Sequence, residues 1–101
     1  MNFFDSFFKK DNDREKMNFS LEIGPHTDLE NLPPVKDVYV TMLPGGDYKE
    51  TAQKSGDLVK KGFNPVPHFP SRSIVDEIQL KDYISRCKDV GVKQALVIGG
   101  S

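Results

Sequence analysis

This sequence of 101 residues has one cysteine, almost no net charge and no long apolar run, and each shortage removes a class of protein. A lone thiol, Cys87, forms no internal disulfide, so the chain does not read as a cross-linked secreted domain. The net charge is −1, with Lys and Arg interleaved among Asp and Glu. No basic stripe is left for a phosphate backbone, and nucleic acid is not expected as a partner. No apolar run approaches the roughly 18 residues of a membrane span. The opening from Asn2 to Phe8 is broken by Asp5 and Ser6 and lacks the continuous apolar region of a signal peptide. The expected location is cytoplasmic, with no membrane partner. His26 and His68 lie far apart, without Cys, Asp or Glu at ligand spacing, so no metal site is expected.

What is present is the composition of an ordinary folded protein, 37% hydrophobic and 29% charged. Phe3, Phe4, Phe7 and Phe8 make a short aromatic face at helical spacing, followed by the charged stretch Lys9 to Lys16. Residues 1–16 therefore read as a packing arm and solvated linker. A membrane-surface reading of that arm exists, because aromatic residues adjoin Lys9 and Lys10, but Asp5 and the acidic residues that follow oppose it.

Residues 17–101 read as alternating strands and helices. Four apolar runs predict strands at Met17 to Ile23, Asp37 to Met42, Asn64 to Phe69 and Gln94 to Ile98. Between the second and third, a helix is expected from about Asp47 to Lys61. Asp47 would be its N-cap, Tyr48, Thr51, Ala52, Leu58 and Val59 its buried stripe, and Gly62 its C′ residue. Between the third and fourth, Leu80, Tyr83, Ile84, Cys87 and Val90 recur on one helical face that closes at Gly91. Cys87 falls on that stripe and reads as a core thiol. The segment from His26 to Lys36 carries Pro33 and Pro34, so any helix there is limited to about Asp28 to Asn31.

Strands alternating with helices across short loops call for a parallel sheet, which a doubly wound fold and a (β/α)8 TIM barrel both satisfy. No G-x-G-x-x-G follows the first strand, where Glu22-Ile23-Gly24-Pro25 stands, so the barrel is preferred over a dinucleotide-binding fold. A barrel of this type needs about 200 to 250 residues. The chain thus reads as the first four β/α units, the N-terminal half of a TIM-barrel domain belonging to a longer protein.

Parallel α/β folds put their chemistry at the carboxyl ends of strands. Four segments qualify by position: Glu22 to Pro25, Thr41 to Gly46, His68 to Arg72 and Gly99 to Ser101. Read as residues alone, each keeps an ordinary alternative. Glu22 could cap a loop or pair with a cation, His68 could be a satisfied core histidine, Thr41 a plain strand residue, and Gly45-Gly46 a turn and not a phosphate cradle.

The chain resembles the methylenetetrahydrofolate reductase family. The resemblance rests on Ser20-Leu21-Glu22-Ile23-Gly24-Pro25, Val38-Tyr39-Val40-Thr41, Pro67-His68-Phe69 within a stretch similar to PHFPAR, and Ala95-Leu96-Val97-Ile98-Gly99-Gly100. It covers residues 17–101 in order.

The resemblance implies a flavoprotein of one-carbon metabolism and methionine biosynthesis. In it FAD takes hydride from NADH or NADPH, and 5,10-methylenetetrahydrofolate becomes 5-methyltetrahydrofolate. It implies that Glu22 is the general acid, which at neutral pH requires a raised pKa, expected from partial burial at a barrel mouth. It also implies cofactor-binding roles for Thr41, Met42 and His68, and for Ile98, Gly99, Gly100 and Ser101 in the turn after the fourth strand. A homo-oligomer is expected for the full-length protein. The family commonly has Leu-Arg-Gly-Asp where this chain reads Ile98-Gly99-Gly100-Ser101, so an arginine is replaced by glycine and an acidic residue by serine. Two other classes fit the same residues: another tetrahydrofolate-linked barrel such as a methyltransferase domain, and a non-catalytic fragment or half-barrel.

Overall fold

Two aspartates start the helices and two left-handed glycines end them. Helix α1 spans Tyr48–Lys60 and α2 spans Glu77–Asp89. Asp47 is extended and its carboxylate accepts the Lys49 N–H at 2.9 Å, while Asp76 accepts the Gln79 N–H at 2.7 Å. Each bond satisfies one of the amide donors that a helix start leaves without an intrahelical partner. Gly62 and Gly91 both sit at φ +91°, a conformation that strains any residue carrying a Cβ, and so each turns the chain out of its helix.

The computed structural model describes residues 8–10 (backbone only), 20–42, 46–70 and 76–98. They form five strands: β1 (Phe8–Lys10), β2 (Leu21–Ile23), β3 (Asp37–Val40), β4 (Asn64–Pro70) and β5 (Ala95–Ile98). The sheet order is β1-β5-β4-β3-β2, with every pairing parallel. From β2 to β5 the strands lie in sequence order, as in a partial β/α repeat. Among the described residues, no helix is long and apolar enough to cross a membrane.

Alternation along the strands divides the side chains between two faces. One face packs Ala52 of α1, Tyr83 and Cys87 of α2, and Phe69 and Ala95 of the sheet into one cluster. Beside it, Ile23, Val38 and Val40 pack with Leu58 of α1. No helix forms between β2 and β3, where a short one at Asp28 to Asn31 was the limit of expectation. Asp28 instead accepts the Glu30 N–H at 3.0 Å in a turn, and Leu29, Leu32 and Val35 cover the sheet in place of a helix. Both helices and this loop therefore lie on one face. The opposite face carries Tyr39, Val66 and Leu96, all fully buried, with Ile98 packed against them.

Strand β4 is central although it contains Pro65, Pro67 and Pro70. Neighbouring residues of a parallel strand direct their N–H groups to opposite sides, and Asn64 N–H donates to Lys36 O on the β3 side at 2.9 Å. Pro65 and Pro67 thus lack donors only on the β5 side. The pairing agrees: β4 meets β3 over Asn64 to Pro67 but meets β5 only from His68 onward. At the amino end, the Asn64 carboxamide donates to Asp37 at 2.9 Å and to Gln94 at 3.4 Å, joining the three segments where main-chain bonds to β5 are missing.

Two differences from expectation concern the amino-terminal part. Phe8 was read with Phe3, Phe4 and Phe7 as a helical face, yet Phe8–Lys10 is a strand along β5, and Lys9 and Lys10, read as the start of the charged stretch, belong to that strand. Phe3, Phe4 and Phe7 lie outside the described residues. The first long strand, expected from Met17, is observed over Leu21–Ile23, with residues 17–19 likewise outside the description.

The two helices are tied by one polar network. Tyr48 Oη donates to Asp82 Oδ2 at 2.6 Å, and Arg86 Nε donates to the same oxygen at 2.9 Å. Arg86, and then the Tyr48 hydroxyl, hold the Asp82 carboxyl below the usual aspartate range, while donation to that carboxylate raises the Tyr48 phenol.

Candidate functional site

The carboxyl ends of β2 and β3 are locked to each other. Thr41 N–H donates to Ile23 O at 2.8 Å, and Thr41 Oγ1 donates to the same carbonyl at 3.2 Å. Thr51 on α1 donates to Thr41 O at 3.4 Å, so helix, strand and strand converge on one residue. After β2, Gly24 N–H donates to Thr27 Oγ1 at 3.0 Å and Thr27 N–H returns to Gly24 O at 3.2 Å, closing a tight turn. That turn is held over α1 by Lys54 Nζ, which donates to Thr27 O at 2.8 Å. His26 and Glu50 approach to 3.2 Å but are mostly solvated, so their pair adds little.

Glu22 is paired in register with Tyr39, and Tyr39 with Val66. One row nearer the carboxyl ends, His68 is level with Leu96, and beyond them Pro70 is level with Ile98. Continuing the β3–β4 register by one residue puts Thr41 level with His68. Glu22 and His68 are two strands apart and two residues offset, a Cα separation of about 12 Å from ordinary sheet spacings.

His68 is 8% exposed. Its main-chain carbonyl accepts the Tyr83 hydroxyl at 2.8 Å, and the Tyr83 ring stacks on Phe69 with centroids 3.9 Å apart. Burial drives the Tyr83 phenol well above its ordinary pKa, and it remains a neutral donor. On the other face, the rings of Tyr39 and His68 are 6.4 Å apart and tilted by 58°.

The residues singled out from sequence divide. Glu22, His68 and Ile98, on β2, β4 and β5, share one face of the sheet, and half-buried Thr41 stands at the end of β3. Met42 packs instead against the cluster that holds Ala52, Phe69 and Tyr83, on the helix side of the sheet. Glu22 is exposed, where partial burial was expected. Gly99, Gly100 and Ser101 lie outside the described residues. Tyr39 was quoted only as part of a motif; alternation puts it on the face opposite Val38 and Val40, and the β2–β3 register makes that the face of Glu22.

Cavities lined by described residues include the following three. A groove of about 510 Å³ crosses the amino ends of the strands at Lys36, Asn64, Lys93 and Gln94. A second of about 400 Å³ lies between the turn at Pro25 and α1, and a third of about 180 Å³ lies between the helices. None of the three includes Glu22, Thr41, His68 or Ile98. Among the described residues, no group of His, Cys, Asp and Glu could hold a metal ion. No family model matches the chain.

Proposed function

We propose that β2 to β5 are the first four strands of a parallel (β/α)8 barrel, and that the intact protein reduces 5,10-methylenetetrahydrofolate to 5-methyltetrahydrofolate with FAD and a nicotinamide. The observation that carries the reading is that Glu22, Thr41 and His68 stand at or near the carboxyl ends of three consecutive parallel strands, in the order the family resemblance requires. The barrel in particular is supported by the sequential order of β2 to β5 with both helices and the loop before β3 on one face, while β1 stands outside that order, along the edge of β5 where a next barrel strand would pair. A doubly wound sheet would reverse direction and put helices on both faces.

A flat ring with polar edges would need partly open apolar contact and a hydrogen-bond acceptor. Thr41 and Ile98 are half-buried, and Thr41 Oγ1, its hydrogen committed to Ile23 O, offers an acceptor. Thr41, His68 and Ile98 would hold FAD, which when bound supplies the hydride drawn from the nicotinamide.

Glu22 performs the proton chemistry in this reading. Its carboxyl O–H gives a proton to the folate nitrogen, and the bond from that nitrogen to the methylene carbon breaks with its electron pair going to nitrogen. An iminium remains at the methylene carbon to accept hydride. Since Glu22 is exposed, its acid form at neutral pH depends on substrate covering it and excluding water.

The purified intact protein is expected to be yellow, with a flavin band near about 450 nm that bleaches with a nicotinamide and returns when methylenetetrahydrofolate is added. A colourless protein that takes up no flavin contradicts the reading and favours a methyltransferase-type barrel or a non-catalytic chain.

A further inference from the structure

Tyr39 is the middle member of a row that begins with Glu22 on β2 and ends with Val66 on β4. It is fully buried, enclosed with Val66 and Leu96, and Ile98 packs against the same cluster. A large ring packed in this way has no space for a second rotamer, because close-packed interiors leave few voids of side-chain size. Its centroid is 6.4 Å from that of His68, at a tilt of 58°. Aromatic pairs prefer tilted or offset contacts at about 4.5 to 7 Å, so this is a directional contact and not only proximity. The His68 main chain is fixed independently by Tyr83 through the 2.8 Å bond to its carbonyl. That bond sets the main chain and not the two side-chain torsions that aim the imidazole.

We propose that Tyr39 is a positioning residue for the site, its buried ring holding the His68 imidazole in one orientation on the sheet face that carries Glu22. The proposal rests on the functional reading of Glu22 and His68 given above. Tyr39 itself, fully buried, touches no substrate. Its strand pairs with β2 at Glu22 and with β4 two residues before His68, so one rigid side chain lies between the proton donor and the imidazole. The described contact is between the two rings. Phenylalanine, which keeps the ring, should therefore serve, and an aliphatic side chain should not.

The test compares Tyr39→Phe, Tyr39→Leu, His68→Ala and the double variant Tyr39→Leu/His68→Ala in the intact protein, with two readouts. The first is the NMR resonance of the His68 ring protons, assigned by its disappearance in His68→Ala. It should stay in place in Tyr39→Phe and move in Tyr39→Leu as the neighbouring ring current is lost. The second is the rate of nicotinamide oxidation with an artificial quinone. Tyr39→Leu should lower it, Tyr39→Phe should restore it, and the double variant should be no slower than His68→Ala, because a residue acting through His68 has nothing left to act on. A double variant slowed by the product of the two single factors overturns the proposal, and so does an unmoved resonance in Tyr39→Leu. If the resonance moves while His68→Ala leaves the rate unchanged, the positioning contact stands and the functional reading of His68 falls. Should Tyr39→Leu fail to fold, Tyr39→Met, which fills space without a ring, carries the same expectations.

Discussion

The hydroxyl of Tyr83 on α2 donates a 2.8 Å hydrogen bond to the main-chain carbonyl of His68 on β4, and its ring lies flat on Phe69, the next residue of the strand. One helix side chain thus fixes both the height and the twist of the strand segment that carries the histidine. Tyr83→Phe keeps the stacked ring and deletes the bond, leaving a buried carbonyl without that donor. The expected loss is about 1 to 3 kcal/mol, read as a lower urea midpoint with an unchanged slope. Tyr48→Phe, whose partner Asp82 keeps Arg86 and solvent, should cost less in the same measurement.

Close approach of the two helices makes a second prediction. A Cβ placed on Gly56 of α1 would sit 2.9 Å from Val90 Cβ and 3.1 Å from Val90 Cγ1, at the end of α2. The helix-propensity gain of about 1 kcal/mol for Gly→Ala is then outweighed by overpacking of about 1 to 3 kcal/mol, so Gly56→Ala should destabilise. Gly56→Ala combined with Val90→Ala should recover part of the loss in thermal unfolding, since the clash is with Val90 itself. Equal destabilisation in the single and double variants would mean that the contact is relieved elsewhere.

Cys87 provides a prediction in pH. Burial raises its thiol from 9.0 to about 12, so the folded state keeps a proton that the unfolded chain releases. Stability that depends on the neutral thiol is whole below pH 9.0 and declines as pH rises toward about 12. Cys87→Ser should flatten that alkaline decline in denaturant titrations from neutral to high pH. At pH 8 the native protein should react with a thiol reagent only as fast as it opens, and rapidly once unfolded in urea. Fast stoichiometric labelling of the native state would contradict the buried placement.

How much of this was legible in the sequence depends on how local each signal is. The helices were, because Asp47, the apolar spacing of Thr51, Ala52 and Leu58, and Gly62 all act within a few turns, as do Leu80 to Gly91. Strand β1 was not: the spacing of Phe3 to Phe8 suits a helix, and only the edge of β5, nearly ninety residues further along the chain, makes Phe8–Lys10 extended. The loop before β3 was read for its prolines, yet Leu29, Leu32 and Val35 cover the sheet without a helix. For the site, strand-end position picked out Glu22, Thr41 and His68. Successive strand residues face opposite ways, so Thr41 and Met42 cannot share a face, and the sheet puts Met42 with the helices. Tyr39 and its contact with His68 needed the register between strands, which no single strand encodes.

The central claim proposed is that Glu22 is the proton donor in folate reduction, and the most direct measurement is the pair of half-reactions in Glu22→Gln of the intact protein. Drawing hydride from a nicotinamide needs no protonated carboxyl, whereas opening the folate ring does. Nicotinamide oxidation with an artificial quinone should therefore stay within about threefold of the unmodified protein, while methylenetetrahydrofolate reduction falls by roughly 10² to 10⁴. Loss of both activities together would make Glu22 structural, and retention of both would remove it from the chemistry.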